Sequence, residues 1–505
     1  MSNSKDLQKI LVANRGEIAL RIMRTVREMG KKSVAVYSDV DMNMPFARYA
    51  DESFPLHGKE ARETYLHADE IIRIAAEAGA DAIHPGYGFL SENSEFAEKI
   101  ERAGLTFIGP RPATIASMGD KTEARKLVAS YGVPVVPGTS EPINDRSEAV
   151  SVANRIGYPV LIKAAAGGGG KGMRLIRNES EIEDGIRSAR SEAKSAFGDG
   201  RIFVEKYLVN PRHIEFQILS DNYGNVVHLF ERECSIQRRH QKVVEETPST
   251  ALTPEQRTEM SDAATSAARA CGYRNAGTVE FILSEEGKYY FLEMNTRLQV
   301  EHPITELTTG IDIVREQIKI AEGRGLELRQ DQITQTGHAI ECRIYAEDVY
   351  NGFIPDTGRL AALREPAGPW VRVDSGVETG SELSVYYDSM IAKLSVWGSD
   401  RGDAIRKMTR SLEDYLIAGV RTTIPFCRFV MLSDAFRSGK YSTHFVEDLW
   451  SDSKQLSGPP PDEEIRLALI LAGAIRGNGL EEVNNHDDVS RKLARPRWLD
   501  KRFED

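Results

Sequence analysis

Residues 293–301 carry a polar side chain at every second position: Glu293, Asn295, Arg297, Gln299 and Glu301. In an extended chain successive side chains point to opposite faces, so these five would gather on one side. Met294, Thr296, Leu298 and Val300 would share the other and suit a packed surface. Two carboxylates, an amide and a guanidinium on one face suit a charged ligand together with a metal ion. A solvated strand edge of mixed charge is the plain alternative.

The segment upstream favours the ligand. Residues 278–283 and 288–293 are strand-like runs joined by Ser-Glu-Glu-Gly, with Gly287 available for a positive φ. A turn centred between Glu286 and Gly287 predicts Glu280 opposite Glu293. Like charges directly opposite repel unless something positive lies between them. These carboxylates with the Asn295 carbonyl form an all-oxygen set suited to Mg2+.

A second chemical signal is Ala164-Ala-Ala-Gly167-Gly168-Gly169-Gly170-Lys171-Gly172, set between the strand-like runs 160–163 and 173–176. Glycines let backbone N–H groups approach phosphate oxygens, and Lys171 adds charge. No Ser or Thr follows the lysine and a strand follows the loop, which excludes the GxxxxGK[ST] pattern. The expectation is a phosphate-covering hairpin loop. Lys163, inside an apolar strand, needs a partner, either a nucleotide phosphate or an internal carboxylate.

Residues 231–242 (Glu-Arg-Glu-Cys-Ser-Ile-Gln-Arg-Arg-His-Gln-Lys) concentrate basic groups near those carboxylates. The run is short and lacks interleaved aromatics, so an anion such as bicarbonate or a transferring phosphate fits better than nucleic acid. Cys234 has no implied base beside it and reads as an inert buried thiol.

Elements must hold these groups. The 505 residues suggest about three domains. Lys plus Arg total 65 against 76 Asp plus Glu, and the net charge of −11 argues against nucleic acid as a general partner. Cys234, Cys271, Cys342 and Cys427 form no CxxC, which points to a reducing compartment. The N-terminus lacks an apolar signal core, and the longest late apolar run, 467–475, is far short of the ~20 residues a span needs. A cytoplasmic chain without a membrane partner is expected.

Residues 8–37 read as strand, helix and strand, with Ile18, Ile22, Val26 and Met29 on one helix face and Gly30 as its stop. The turn Asn14-Arg15-Gly16-Glu17 lacks GxGxxG, so the unit is doubly wound without being a dinucleotide site. Pro85-Gly-Tyr-Gly-Phe-Leu-Ser-Glu92 follows a strand; it is either a loop facing a ligand crevice or a plain turn capped by Ser91. Met118-Gly-Asp-Lys121 opens a helix, and a long helix follows Pro254. Residues 336–448 form a third region, and Ser457-Gly-Pro-Pro-Pro461 reads as a stiff linker.

The tetraglycine loop, the 231–242 run and Glu-Met-Asn-Thr-Arg-Leu-Gln-Val-Glu-His-Pro resemble biotin carboxylase, an ATP-grasp family. Ala-Asn-Arg-Gly-Glu-Ile-Ala at 13–19 and His-Pro-Gly-Tyr-Gly-Phe-Leu-Ser-Glu-Asn at 84–93 are similar to its N-terminal domain, and the similarity runs over residues 7–448. The resemblance implies mixed α/β and α+β architecture: a doubly wound parallel-sheet domain (1–118), an ATP-grasp domain (119–335) with a lid over about 136–205, a C-terminal biotin carboxylase domain (336–448), and an unassigned tail (449–505).

It also implies roles. Lys121, Lys163, Gly168, Gly169, Gly170, Lys171, Gly172, Glu205, Lys206, Leu208, His213, Gln237 and His240 would line an ATP site. Glu280 and Glu293, with Asn295, would hold Mg2+ or Mn2+. Lys242, Arg297, Gln299 and the Val300 backbone would hold bicarbonate, Glu301 would be the base, and Arg343 would stabilise carboxyphosphate and the biotin enolate. The implied reaction is the first half of an acetyl-CoA or propionyl-CoA carboxylase, with pyruvate and 2-oxoglutarate carboxylases as alternatives.

Tyr345 stands where the family pattern has asparagine, and no Met-Lys-Met biotin-attachment sequence occurs. The expected partners are therefore a separate biotin carboxyl carrier protein and a carboxyltransferase subunit, within a homodimer. The competing readings are another carboxyphosphate-forming ligase and a regulatory protein that senses ATP without catalysis. A dead relative would be expected to lack Lys242, Arg297, Glu301 or Arg343, and all four are present. Because metal, anion and base must meet around one phosphate, the strand carrying Glu293 is expected to end near Asn295.

Overall fold

The computed structural model describes residues 5–139, 141–164, 173–197 and 200–450. The glycine-rich loop at 165–172, the linker at 457–461 and the rest of the tail lie outside the described residues.

The N-terminal part is a parallel sheet flanked by helices. Strands β1 (Lys9–Val12), β2 (Lys32–Tyr37), β3 (Glu52–Pro55), β4 (Ala82–His84) and β5 (Thr106–Phe107) lie in the order β3-β2-β1-β4-β5. The chain leaves β1 toward β2 and returns to β4 on the other side, which opens a crevice at the carboxyl ends of β1 and β4. The Asn14 amide spans that crevice, donating to the carbonyls of Pro85 and Tyr87 at 2.8 and 2.7 Å. Gly86 has φ +65°, and a Cβ there would lie 2.9 Å from Asn14 Nδ2, so this approach needs glycine. The loop at 85–92 is therefore the crevice-facing alternative. Asn93, not Ser91, caps the following helix Ser94–Arg102 by accepting from Phe96 N.

A three-stranded sheet, β7-β6-β8, is formed by β6 (Val160–Ala164), β7 (Met173–Ile176) and β8 (Ile202–Lys206). The largest sheet combines β9 (Arg212–Ser220), β10 (Val226–Arg238), β11 (Gln241–Thr247), β12 (Asn275–Leu283), β13 (Tyr289–Asn295), β14 (His338–Tyr345), β15 (Val371–Ser375) and β16 (Met390–Gly398). Its order is β13-β12-β9-β10-β11-β14-β16-β15, so one antiparallel surface runs through both the second and third expected regions.

Period-two patterning decides which face of this sheet is wet. On β9, Ile214, Phe216 and Ile218 pack on Met260, Ala264 and Ala267 of helix Pro254–Ala270, leaving His213, Glu215 and Gln217 on the opposite face. That helix begins with a capping box between Thr253 and Gln256. The helix expected to open at Met118 starts later: Pro112–Gly119 is a separate helix, and Asp120 caps Lys121–Ser130 through Thr122 N and Glu123 N. Among the described residues no helix is long and apolar enough to cross a membrane.

Candidate active site

One cleft of about 1110 Å³ collects most of the chemistry. Lys121, Lys163, Glu205, Lys206, Leu208, His213, Gln237 and His240 line it together with Lys242, Glu280, Glu293, Asn295, Arg297, Gln299, Val300 and Arg343. Gly168, Gly169, Gly170, Lys171 and Gly172 lie outside the described residues. Glu301 is not on the wall of the cleft. It is fully buried directly behind Lys242 and Arg343.

Glu280 and Glu293 are direct cross-strand partners, but the turn differs from expectation. Leu283 pairs with Tyr289, which centres the turn on Glu286, and Gly287 adopts φ +79°. A bulge then makes Leu292 the extra residue and restores Glu280 opposite Glu293. The two carboxylates separate beyond their Cβ atoms: Glu293 pairs with Lys121 at 3.2 Å, while Glu280 turns inward to Lys242 at 2.9 Å. The positive charge that the facing carboxylates require is thus supplied by two lysines.

Strand β13 ends at Asn295, as the chemistry demanded, and the chain curves through residues 296–300. Met294, Thr296 and Leu298 are buried as expected, but Val300, expected with them, is only half-buried and lines the cleft, and Asn295, Gln299 and Glu301 are buried too, so the alternation does not continue past the strand. Asn295 donates to Glu280 Oε1 at 2.8 Å and accepts from Arg297 Nη2 at 3.0 Å. Arg297 also bonds Gln299 Oε1 at 2.7 Å and Glu92 Oε2 at 3.0 Å. Glu92, which also accepts from Thr296 N, brings the loop after β4 onto the site.

Lys242 is the hub. Its ammonium donates to Glu215 Oε2 at 2.5 Å, Glu301 Oε1 at 2.7 Å and Glu280 Oε1 at 2.9 Å. Burial opposes its charge, but the surrounding acidic groups win and hold its pKa well above the usual lysine value. The other Glu301 oxygen accepts from Arg343 Nη2 at 2.9 Å. Burial would raise the Glu301 pKa, yet Lys242, Arg343 and Arg232 outweigh it and hold the carboxylate well below its ordinary range. Glu301 precedes helix His302–Thr309, whose amino end also favours a negative charge. Cys234 lies 3.8 Å from Glu301, and burial pushes its thiol far up, so it stays a thiol.

At the other end of the cleft, Lys163 pairs with Glu205 at 2.5 Å, so its partner here is an internal carboxylate. Arg125 also binds Glu205. Burial lowers the Lys163 pKa; Glu205 is lowered despite burial, because Lys163 and Arg125 favour its charge. Lys206 Nζ is tied to the carbonyls of Gly157 and Tyr158. Arg238 pairs with Gln241 across a two-residue hairpin turn made of Arg239 and His240, with φ of +49° and +68°, and Gln237 lies on β10 just before it.

Several site residues went unnoticed in the sequence. Glu215 carried the same period-two signal as Glu293, in the alternation His213, Glu215, Gln217. Arg232, fully buried, bonds Glu215 at 2.5 Å, Gln217 at 2.8 Å and Thr305 at 3.0 Å, and so fixes the carboxylate under Lys242. Glu92 ends the loop read as facing a ligand crevice, though its contact with Arg297 was not foreseen, and Arg125 carried no local signal, since only tertiary folding brings it to the cleft. The Tyr345 hydroxyl interacts with Arg343 and Gln241, and burial pushes its pKa to about 12.

The donor set is compatible with a divalent cation: His213, Glu215 and Glu280 bring ligand atoms within 4.8 Å of one another, and Glu293, across the strand pair from Glu280, also lines the cleft.

Residues 6–115 match the family described as biotin carboxylase, N-terminal domain; residues 120–329 match the carbamoyl-phosphate synthase L chain, ATP binding domain; residues 341–448 match the biotin carboxylase C-terminal domain. The chain is 54% identical over 440 residues to a pyruvate carboxylase subunit of Methanothermobacter thermautotrophicus, covering 87% of this chain and 89% of that protein. It is 50% identical over 442 residues to biotin carboxylase 1 of Bacillus subtilis, covering 87% and 98%. Among solved structures it resembles the biotin carboxylase domain dimer of the Hydrogenobacter thermophilus 2-oxoglutarate carboxylase, in complex with MgADP, ADP and bicarbonate. The TM-score is 0.82 at 49% identity, covering 88% of this chain and 97% of that one.

Proposed function

The chain belongs to the biotin carboxylase family, and from that premise we propose that it uses ATP and bicarbonate to carboxylate biotin carried on a separate carrier protein. The observation that carries the reading is the ionised Glu301, held by Lys242 and Arg343, the two cleft-lining cations behind which it is buried.

ATP occupies the end built from Lys121, Lys163, Glu205, Lys206, Leu208, His213, Gln237 and His240, together with the loop containing Gly168, Gly169, Gly170, Lys171 and Gly172. Bicarbonate lies against Lys242, Arg297, Gln299 and the Val300 backbone. Glu280 and Glu293, with Asn295, hold Mg2+ or Mn2+, which supplies charge neutralisation to the phosphates. Phosphoryl transfer needs positioning and neutralisation more than a nucleophilic side chain, which matches a site rich in lysine and arginine.

Glu301 takes the bicarbonate proton, because bicarbonate is a poor nucleophile until that proton leaves. Its low pKa makes it a weak base while Lys242 and Arg343 hold both its oxygens. An incoming anion competes for those two cations, which weakens their hold on Glu301 and raises its basicity as the substrate arrives. A bicarbonate oxygen then attacks the γ-phosphorus and ADP leaves. The resulting carboxyphosphate splits into CO2 and inorganic phosphate; the phosphate takes the N1′ proton of biotin, N1′ bonds to the CO2, and Arg343 stabilises both the carboxyphosphate and the biotin enolate.

The three-stranded sheet β6–β8 belongs to a lid that closes over the nucleotide. The protein works in the cytoplasm as a homodimer with a biotin carboxyl carrier protein and a carboxyltransferase subunit, which selects the final acceptor. The sequence does not identify that acceptor; acetyl-CoA or propionyl-CoA is the one favoured by the resemblance. Pyruvate and 2-oxoglutarate are the acceptors named for two similar proteins. The test is bicarbonate-dependent ATP hydrolysis stimulated by free biotin. Response to neither ligand overturns the reading, and ammonia-dependent turnover without biotin replaces it with carbamoyl phosphate synthesis.

A further inference from the structure

Behind the cleft the large sheet buries a second pair of carboxylates. Glu245 on β11 and Glu341 on β14 are direct partners across the antiparallel ladder, so their side chains leave the same face with Cβ atoms about 5 Å apart. Both are fully buried. Glu245 Oε1 accepts from Arg343 Nε at 2.6 Å, and Glu341 Oε2 accepts from the Ser395 hydroxyl at 2.7 Å. The remaining oxygens, Glu245 Oε2 and Glu341 Oε1, have no hydrogen-bond partner among the described residues. Ionised carboxylates only accept, so two charged groups here would repel and leave two buried acceptors without a donor. A single proton between them removes both costs.

The surrounding charges allow for only one negative charge on the pair. Arg343 directs its other arm to Glu301 at 2.9 Å. Lys393, opposite Arg343 on β16, is fully buried and directs its ammonium to Glu17 at 3.1 Å, the Val300 carbonyl at 2.9 Å and Asp374 at 3.9 Å. Arg372 is engaged by Asp374 and Glu306, and burial keeps His302 neutral. Each nearby cation thus already has its own carboxylates. Burial first, and then the Glu245 charge, push the Glu341 pKa up against the pull of Lys393.

We infer that Glu341 is a positioning residue: it stays protonated at neutral pH and donates a hydrogen bond to Glu245, which thereby keeps Arg343 aimed at the cleft. With one negative charge on the pair instead of two, Arg343 retains positive charge for the anion that reaches it. The protonation stands on the ladder geometry, whereas its effect on turnover rests on the role proposed for Arg343.

The test compares wild type with Glu341→Gln and Glu341→Leu in the full chain. A protonated-carboxyl stretching band is expected at pH 7 in the infrared difference between wild type and Glu341→Gln, a measurement that needs no turnover. The glutamine amide can donate to Glu245 and accept from Ser395, so Glu341→Gln is expected within about twofold of wild type in kcat. It should also lose any alkaline decline that arises from deprotonation of the pair. Glu341→Leu should lose about tenfold or more in biotin-dependent kcat with the KM for ATP unchanged. Absence of the infrared band, or a folded Glu341→Gln variant as impaired as Glu341→Leu, overturns the inference. A wild type without biotin-dependent turnover but with the band overturns the proposed function alone.

Discussion

Lys242 and Glu301 form an ion pair at 2.7 Å in which the carboxylate is wholly buried and the lysine nearly so. The group that would bind bicarbonate and the group that would deprotonate it are therefore neutralising each other. Arg343 repeats the arrangement on the second Glu301 oxygen at 2.9 Å. In the proposed mechanism such a site would suppress the base until an anion competes for its cations, which would limit proton transfer to the occupied cleft.

Removing the hub charge should destabilise the fold as well as abolish turnover. Lys242→Gln leaves Glu215, Glu280 and Glu301 without their shared cation, and breaking a buried pair costs about 3 to 5 kcal/mol. Denaturant unfolding should show that loss in the midpoint, and an unchanged midpoint would remove Lys242 from the hub role.

Acid stability should depend on a carboxylate that does not line the cleft. Glu246 is fully buried among His338, Arg401 and Tyr441, and despite burial the His338 and Arg401 contacts lower its pKa from 4.5 to about 2. A lowered folded value means stability present above the unfolded pKa and lost as pH falls through the folded one. At about 1.4 kcal/mol per unit the contribution is about 3 kcal/mol, lost between about pH 4.5 and pH 2. Unfolding measured against pH should show a shallower acid limb in Glu246→Gln; an identical limb would refute the assignment.

Arg343→Lys should not be tolerated. The guanidinium reaches Glu245 through Nε and Glu301 through Nη2, 2.6 and 2.9 Å away. A single ammonium cannot span both with that fixed geometry. Biotin-dependent kcat is expected to fall about a hundredfold with ATP binding retained, and wild-type kcat in this variant would show that charge alone suffices.

These residues also show how far the sequence could be read. The period-two polar pattern at 293–301 pointed to the candidate cleft, and the expectation that metal, anion and base converge matched the end of β13 at Asn295. Glu280 met Glu293 as expected, although through a bulge at Leu292 that no turn rule foretells. Glu215 was legible by the same alternation on β9. Arg125, the Glu245–Glu341 pair and the bond from Glu92 to Arg297 were not, because their significance lies in contacts between strands and loops distant in sequence. That Glu301 sits behind the cleft wall likewise follows from burial, which residue spacing does not encode.

Nucleotide binding should report on Lys163. Glu205 holds it in place at 2.5 Å and Arg125 shares that carboxylate. Lys163→Met should leave the Arg125–Glu205 pair intact while weakening ATP binding about tenfold or more. In thermal unfolding, ATP at about 100 times its Kd should stabilise wild type by about 2.7 kcal/mol, and the variant far less at the same concentration. Equal stabilisation would place the phosphates elsewhere.

The most direct measurement follows the oxygen that bicarbonate contributes. If a bicarbonate oxygen attacks the γ-phosphorus, 18O-labelled bicarbonate should place one labelled oxygen in each inorganic phosphate released. Glu301→Gln should bind ATP normally yet lose most of that labelled product, by a factor of about a hundred or more. Phosphate that takes its new oxygen from water, or undiminished labelling in Glu301→Gln, would contradict the account.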